Sequence, residues 1–143
     1  MASTITAMPA RMSAEEWQTR CDLAACYRLV DLFGWSDLIN TRITARVPGR
    51  HDQFLINPYG LLFDEVTASS LVKIDVEGNK VEPSESEVDS GGFAIPSTVH
   101  MARPEVACVL HTHSIAGCAV SMQKEGLMPL NQPALQVIGD IAY

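Results

Sequence analysis

Long apolar runs, paired cysteines and a basic surface are the features that this sequence lacks. No apolar stretch approaches the roughly 18 residues that a membrane-spanning helix needs. The chain carries 17 acidic against 10 basic side chains, a net charge of −7, and has no basic stripe that could neutralise the phosphates of a nucleic acid. We therefore expect neither a nucleic-acid partner nor a membrane partner.

The N-terminus also lacks the charged segment and apolar segment of a secretory signal, so a cytoplasmic location is expected by default. No CxxC pair is present, and reduced, buried thiols are predicted for Cys21, Cys26, Cys108 and Cys118. What the chain does have is 143 residues with an apolar fraction of 47%. This is enough for one compact globular domain.

The first half of the chain predicts one helix followed by short strands. Residues 1–12 show no periodicity and are expected to form a loose tail. Ser13 opens a capping box with Glu16, and helical spacing of apolar residues continues to about Phe33, before Gly34. Period-two alternation and turn residues then predict two hairpins. Their strands cover residues 38–47 with 53–56, and 71–75 with 80–82.

The second half predicts a polar loop, then a helix, a strand and a further helix. These segments cover residues 83–92, 93–102, 107–112 and 115–123. Pro96 fits only in the first turn of its helix. The strand is apolar on both faces and is therefore predicted to be central. Strands outnumber helices and are joined by hairpins, which favours a mixed or antiparallel sheet covered by helices.

Two histidines near the end of that strand are candidate metal ligands. His111 and His113 are two residues apart, so on a strand both imidazoles project from one face. Their ring nitrogens could reach one ion at about 2.0–2.1 Å, and imidazole suits zinc and neighbouring transition metals. The alternative is that two histidines happen to lie near a strand end.

A third ligand is not evident, although a catalytic zinc site normally has three. His51 lies in a predicted turn. His100, on the preceding helix, has a path to the site, but the simpler interpretation is a partly buried helix residue. Glu85 and Glu87 could supply an oxygen, although nothing in their spacing demands it.

Five segments together resemble the class II aldolase/adducin family, particularly its adducin-like branch. They are residues 34–40 (GWSDLIN), 54–60 (FLINPYG), 71–75 with Gly78, 102–106 and 111–114. The resemblance implies an α/β protein, a three-layer α/β/α fold with a central mainly antiparallel sheet, often a tetramer. Residues 13–143 would form a partial, C-terminally truncated domain.

The resemblance also implies a metal site. Enzymes of the family hold zinc through three histidines and stabilise an enediolate during carbon–carbon cleavage of sugar phosphates, and relatives isomerise or decarboxylate. His111 and His113 match the first two ligands, whereas the third would lie beyond Tyr143. The expected cofactor is therefore Zn²⁺ or another divalent transition metal.

The catalytic and substrate positions match the family only in part. The catalytic acid of the aldolases would fall at Gly92, which cannot transfer a proton, so no catalytic residue is assigned. Adducin-like members commonly lack that acid.

The family's phosphate cradle is matched at three positions. Asn40, Gly60 and Ser90 are predicted substrate-binding residues, although Tyr59 and Gly91 replace small hydroxyl residues of the family. For Asn40 the alternative is a polar residue on the exposed face of a strand, next to a turn.

Two functions are therefore open. The first is a divalent-metal-binding, lyase-type domain, aldolase-like or decarboxylase-like if active, acting on a small hydroxy-carbonyl or sugar-phosphate-like substrate; the truncation could leave it inactive. The second is a non-catalytic adducin-like module for protein contacts of the cytoskeletal type. The intact histidine pair favours the first, and the absence of a basic tail disfavours the second. A homo-oligomer is expected in either case.

Overall fold

The computed structural model describes residues 12–143, apart from the side chain of Ser90. The predicted N-terminal tail lies outside the described residues except for Met12. The chain forms two compact units, one ending at Thr112 and the other spanning residues 113–143. Between residues 12 and 143, no helix has both the length and the apolar character needed to cross a membrane.

Among the described residues, the first unit contains two α-helices and four strands, and the second contains two short α-helices. In the first unit these are α1 (Ala14–Leu32), β1 (Arg42–Arg46), β2 (Gln53–Ile56), β3 (Val72–Asp75), α2 (Ser90–Ala102) and β4 (Cys108–His111). In the second unit they are α3 (Ile115–Ser121) and α4 (Gln132–Val137).

Helix α1 begins at the predicted cap. The Ser13 hydroxyl accepts a hydrogen bond from the Glu16 N–H at 3.1 Å. The helix ends just before Gly34, whose φ of +68° is a left-handed conformation that glycine adopts without steric penalty. The buried carboxylate of Glu16 pairs with Arg20 at 3.0 Å and with Lys73 of β3 at 2.7 Å. The first ion pair lies within the helix, and the second joins the helix to the sheet.

The strands form one antiparallel sheet in the order β3-β2-β1-β4. The predicted hairpin of β1 and β2 is confirmed. Strand β1 begins at Arg42, later than predicted, because Leu38 has a φ of +47° and breaks the extended chain. Of the second predicted hairpin only β3 is a strand, since Lys80 makes a single bridge to Ile74.

Helices cover both faces of this sheet, because alternate strand residues point to opposite sides. Beneath α1, one apolar core includes Ile43, Ala45 and Leu55. On the other face, Phe54 of β2 packs in a second core with Phe93 of α2. The α/β fold class is therefore confirmed, with a central antiparallel sheet between α1 and α2.

Strand β4 differs from its prediction. A central strand needs a neighbour on each side, whereas β1 alone pairs with β4 within residues 12–143. Its residues alternate between exposed and half-buried, and Leu110 is 45% exposed. Apolar residues indicate that a strand avoids water, but they do not indicate how many strands pair with it. The prediction of a central strand is therefore wrong for the described chain.

The helices of the second half also differ from the prediction in two ways. Helix α2 starts at Ser90, so the preceding loop is shorter than predicted and Pro96 lies inside the helix. Because proline has no N–H, the helical hydrogen bond to the carbonyl of Gly92 cannot form. Helix α4 was not predicted, although Asn131 caps it by accepting a hydrogen bond from the Ala134 N–H at 2.9 Å.

The four cysteines are free thiols, but none is fully buried. Cys21, Cys26 and Cys118 are half-buried and Cys108 is exposed. Their predicted burial is therefore wrong, because the apolar stretches around them are only partly covered.

The hydroxyl of Tyr27 is a hydrogen-bonding centre in the first core. The side chain is fully buried, and its oxygen accepts hydrogen bonds from the N–H groups of Ile43, at 3.0 Å, and Asn57, at 3.2 Å. The carbonyl of Ile43 and the side-chain oxygen of Asn57 are both within reach as acceptors of its proton. Burial raises the pKa of the phenol, which keeps the proton in place.

We expect Tyr27→Phe to lower the free energy of unfolding by about 2–4 kcal/mol, because the N–H groups of Ile43 and Asn57 lose their acceptor. Urea unfolding followed by circular dichroism measures the change. The control is Tyr59→Phe, since Tyr59 is 55% exposed, and a shift below about 0.5 kcal/mol is expected there. Equal effects of the two substitutions would contradict the role assigned to the Tyr27 hydroxyl.

Candidate functional site

The chain segments that carry the predicted substrate-binding residues meet at one narrow crevice in the first unit. Its lining includes Gly60, both sequence neighbours of Asn40, and Asp89, which immediately precedes Ser90. The crevice has a volume of about 10 Å³, which is room for a single water-sized group. The side chain of Ser90 lies outside the described residues, so its predicted role stays a prediction.

Asn40 lies in a turn rather than on a strand, and it is exposed. Its backbone N–H donates to the carbonyl of Asp37 at 2.8 Å, and its side-chain amide donates to the Asp37 carboxylate at 3.4 Å. The left-handed Leu38 between these residues allows the chain to reverse. Asn40 is therefore not a polar residue on a strand face, and its role in substrate binding stays a prediction.

Gly60 adopts a φ of +90°, in the range that favours glycine. A Cβ at this position would meet nothing within 4 Å, so the backbone conformation rather than space calls for glycine. The turn is held at both ends: Asn57 donates to the Tyr27 hydroxyl, and the Tyr59 N–H donates to the carbonyl of Glu87 at 2.8 Å. These bonds place Gly60 beside the loop that leads into α2.

Arg42 is a charged residue of the crevice that the sequence analysis did not single out. Its Nη1 atom lies 3.2 Å from a carboxylate oxygen of Asp89. This nitrogen is fully buried and yet makes no hydrogen bond to any described residue. A Cβ built on Gly92 would overlap the guanidinium. The alternating pattern identified Arg42 only as a polar strand residue, and its contact with α2 had no local signal.

His111 is the last residue of β4 and is half-buried. It is the register partner of Arg42 on β1, and directly opposed residues in a sheet project from the same face. His113 is the first residue of the second unit and is also half-buried.

The imidazoles of His111 and His113 are ligands that transition metals accept, but two ligands are too few for a zinc site. Within residues 12–143, no group of three or more His, Cys, Asp or Glu residues is placed to hold a metal ion. Two imidazoles suit zinc, whereas a zinc site needs at least one further protein ligand. Glu85 and Glu87 are both exposed, and Glu87 lies 3.7 Å from Lys80.

His100 is a buried helix residue, in agreement with the simpler interpretation of the sequence. Its side chain is 1% exposed and stacks on Phe54 with ring centroids 4.5 Å apart. Its Nε2 atom lies 3.0 Å from the Thr44 hydroxyl, and Arg46 donates to its carbonyl at 2.8 Å. The imidazole ring of His100 is therefore packed between α2 and the sheet.

A family model for the class II aldolase and adducin N-terminal domain matches residues 21–143. A Pseudomonas aeruginosa protein whose name describes it as an aldolase class 2 protein is 59% identical over 134 residues. The match covers 94% of this chain and 51% of that protein. Mouse alpha-adducin is 51% identical over 126 residues, 87% of this chain and 17% of the adducin. The chain belongs to the class II aldolase/adducin family, and it spans about half the length of the first of these relatives.

Solved structures agree with this assignment. An aldolase II superfamily protein from Pseudomonas syringae matches with a TM-score of 0.87 and 48% identity, over 90% of this chain and 52% of that one. L-fuculose 1-phosphate aldolase from Glaciozyma antarctica matches with a TM-score of 0.82 and 30% identity, over 94% and 55% of the two chains. This chain therefore has the class II aldolase fold of these two proteins.

We expect stability to fall as the pH drops below about 6.5, the ordinary pKa of histidine. Burial, assisted by the charge of Arg46, lowers the pKa of His100 in the folded protein. The unfolded chain therefore binds a proton that the folded chain resists, and unfolding becomes easier in acid.

Urea unfolding between about pH 7.5 and pH 5.5 measures this dependence. The dependence should be weaker in His100→Gln, which has no titrating ring, and unchanged in His51→Gln, because His51 is exposed. An identical pH dependence in wild type and His100→Gln would exclude His100 as its source.

Proposed function

We propose that this chain is a divalent-metal-binding, lyase-type domain that acts on a small hydroxy-carbonyl or sugar-phosphate-like substrate. The proposed ligands are His111 and His113, with zinc or a neighbouring transition metal as the ion. A further ligand would come from outside residues 12–143, from additional chain or from a neighbouring subunit.

One observation carries the proposal: His111 lies on the same sheet face as Arg42, which lines the crevice where the predicted substrate segments meet. The candidate metal ligand His111 therefore lies on the same side of the sheet as one residue that lines this crevice. A relative of known fold, 30% identical, is named as an aldolase of a sugar phosphate, which supports the substrate class. When bound, the ion would polarise carbonyl and hydroxyl oxygens of the substrate as a Lewis acid.

The residues of the chain supply positioning rather than proton transfer in this proposal. Gly92 has no side chain to act as an acid. Asn40, Gly60 and Ser90 would contact the substrate around the crevice. A homo-oligomer, a cytoplasmic location and the absence of nucleic-acid and membrane partners complete the proposal.

A second candidate is a non-catalytic module that works through protein contacts of the cytoskeletal type. The observation that favours it is the 51% identity to mouse alpha-adducin, against 30% to the fuculose phosphate aldolase. The two candidates differ in their need for a metal, because a protein-interaction module has no use for a bound Lewis acid.

We expect about one zinc or similar ion per chain, measured by plasma mass spectrometry on protein purified without chelators or a histidine tag. The His111→Ala/His113→Ala variant should lose it, and so should His111→Ala alone, because two imidazoles anchor the ion. Circular dichroism should show that α1 and the sheet persist, since His111 lies at the end of β4.

His51→Ala is the matched control, because His51 is exposed in the turn between β1 and β2. It should keep the wild-type metal content. Full occupancy in the double variant would refute the ligand assignment. A folded wild type with no metal above the double variant's background would refute metal binding by this chain on its own.

A further inference from the structure

Two of the four free thiols line one cavity of the first unit. The cavity lies between α1 and the strands β1 and β4, and its volume is about 520 Å³. Cys26 of α1 and Cys108 of β4 both belong to its lining, together with Ala45 of β1. Cys21 does not line it, and Cys118 lies in the second unit. The fold therefore brings Cys26 and Cys108 together.

The register of the sheet places Cys108 on the side of β4 that faces α1. Cys108 lies directly opposite Ala45 of β1, and directly opposed residues project from the same face of a sheet. Ala45 belongs to the core beneath α1, and Cys26 packs against that same core. The two thiols therefore approach Ala45 from the helix and from the neighbouring strand.

The electrostatics of the two thiols also indicates that they are neighbours. Burial raises the pKa of the Cys108 thiol, and the charge of Cys26 raises it further. Because repulsion between two thiolates falls with distance, an effect of this kind comes from a nearby sulfur atom. Burial raises the pKa of Cys26 as well, so both thiols are mainly protonated at neutral pH.

The packing around the two thiols allows a covalent link between them. A disulfide needs its two Cβ atoms about 3.5–4.5 Å apart. Ala45 places only a methyl group between the helix and the sheet, so α1 can lie close at this point. Strand β4 pairs with β1 alone within residues 12–143, and a strand held on one side adjusts more easily than one held on both. Cys108 is exposed, so a soluble oxidant can reach it.

We propose that Cys26 and Cys108 form a reversible disulfide that joins α1 to β4, with a small-molecule disulfide such as oxidised glutathione as the oxidant. In the first step the thiolate of Cys108 attacks one sulfur of the oxidant, which gives a mixed disulfide and releases one glutathione thiolate. In the second step the thiolate of Cys26 attacks the Cys108 sulfur and releases the second glutathione. The protein loses two electrons and two protons, and the two glutathione molecules gain them.

The disulfide acts on the strand that ends at His111. It closes a loop between positions 26 and 108, which removes conformations from the unfolded chain, and it holds β4 from a second side. In a reducing compartment such links are transient and respond to the redox state. The inference goes beyond the proposed function and does not depend on it, because neither thiol is a proposed metal ligand.

The experiment compares two variants of the whole 143-residue chain that each keep two cysteines. Cys21→Ser/Cys118→Ser keeps the proposed pair, and Cys26→Ser/Cys108→Ser keeps the other two. Each variant is reduced, freed of reductant and incubated with oxidised glutathione and EDTA at about pH 8.5, where thiols are partly ionised. Intact mass, free-thiol content and peptide maps without reductant identify the products.

We expect Cys21→Ser/Cys118→Ser to lose both thiols as an internal disulfide that dithiothreitol reduces again. Its thermal midpoint should rise by about 10 °C above that of the reduced form. The Cys26→Ser/Cys108→Ser variant should form glutathione adducts only, without a comparable rise. Glutathione adducts with no internal link in the first variant, or internal links to the same extent in both variants, would overturn the proposal.

The wild-type chain decides the question if the serine variants fail to fold. It is oxidised in the same way, and fragmentation of the linked peptides in the mass spectrometer assigns the bond. This step is needed because trypsin leaves Cys21 with Cys26, and Cys108 with Cys118, in single peptides. A bond between Cys26 and Cys108 is expected, whereas a bond through another pair, or none, would contradict the assignment.

Discussion

The buried hydroxyl of Tyr27 is the contact on which much of the first unit depends. It accepts backbone hydrogen bonds from Ile43 in β1 and Asn57 after β2, so one side chain of α1 fixes two neighbouring strands. Since the pKa of the phenol is raised by burial, the group stays neutral and the arrangement is insensitive to pH. The Asn57 bond also fixes the start of the turn that carries Gly60, which links the core to the rim of the crevice.

Local signals predicted the elements that local physics decides. The cap at Ser13, the end of α1 before Gly34 and the full extent of β2 were all predicted correctly, because capping and alternation act over a few residues. Elements that depend on distant partners were predicted less well. The pattern at residues 80–82 resembles a strand, but only Lys80 finds a pairing partner, at Ile74, and an apolar β4 does not reveal how many strands flank it.

The residues of the candidate site show the same difference between local signals and distant contacts. Gly60 was assigned to the site from the family resemblance, whereas His111 and His113 were recognisable from their spacing at a strand end. Arg42 was not, because its significance comes from contacts with Asp89 and Gly92 that are remote in sequence and arise only when α2 packs on the sheet. The roles of His111 and His113 as metal ligands, and of Asn40, Gly60 and Ser90 as substrate contacts, all stay predictions.

The overlap between Arg42 and any side chain at position 92 has an evolutionary consequence. An acid introduced at 92 would compete with the guanidinium for the same volume, so the Arg42 side chain would have to move. The effect of a substitution at one position therefore depends on the residue at the other. Within the family, a bulkier residue at position 92 is therefore expected to occur with a smaller one at position 42.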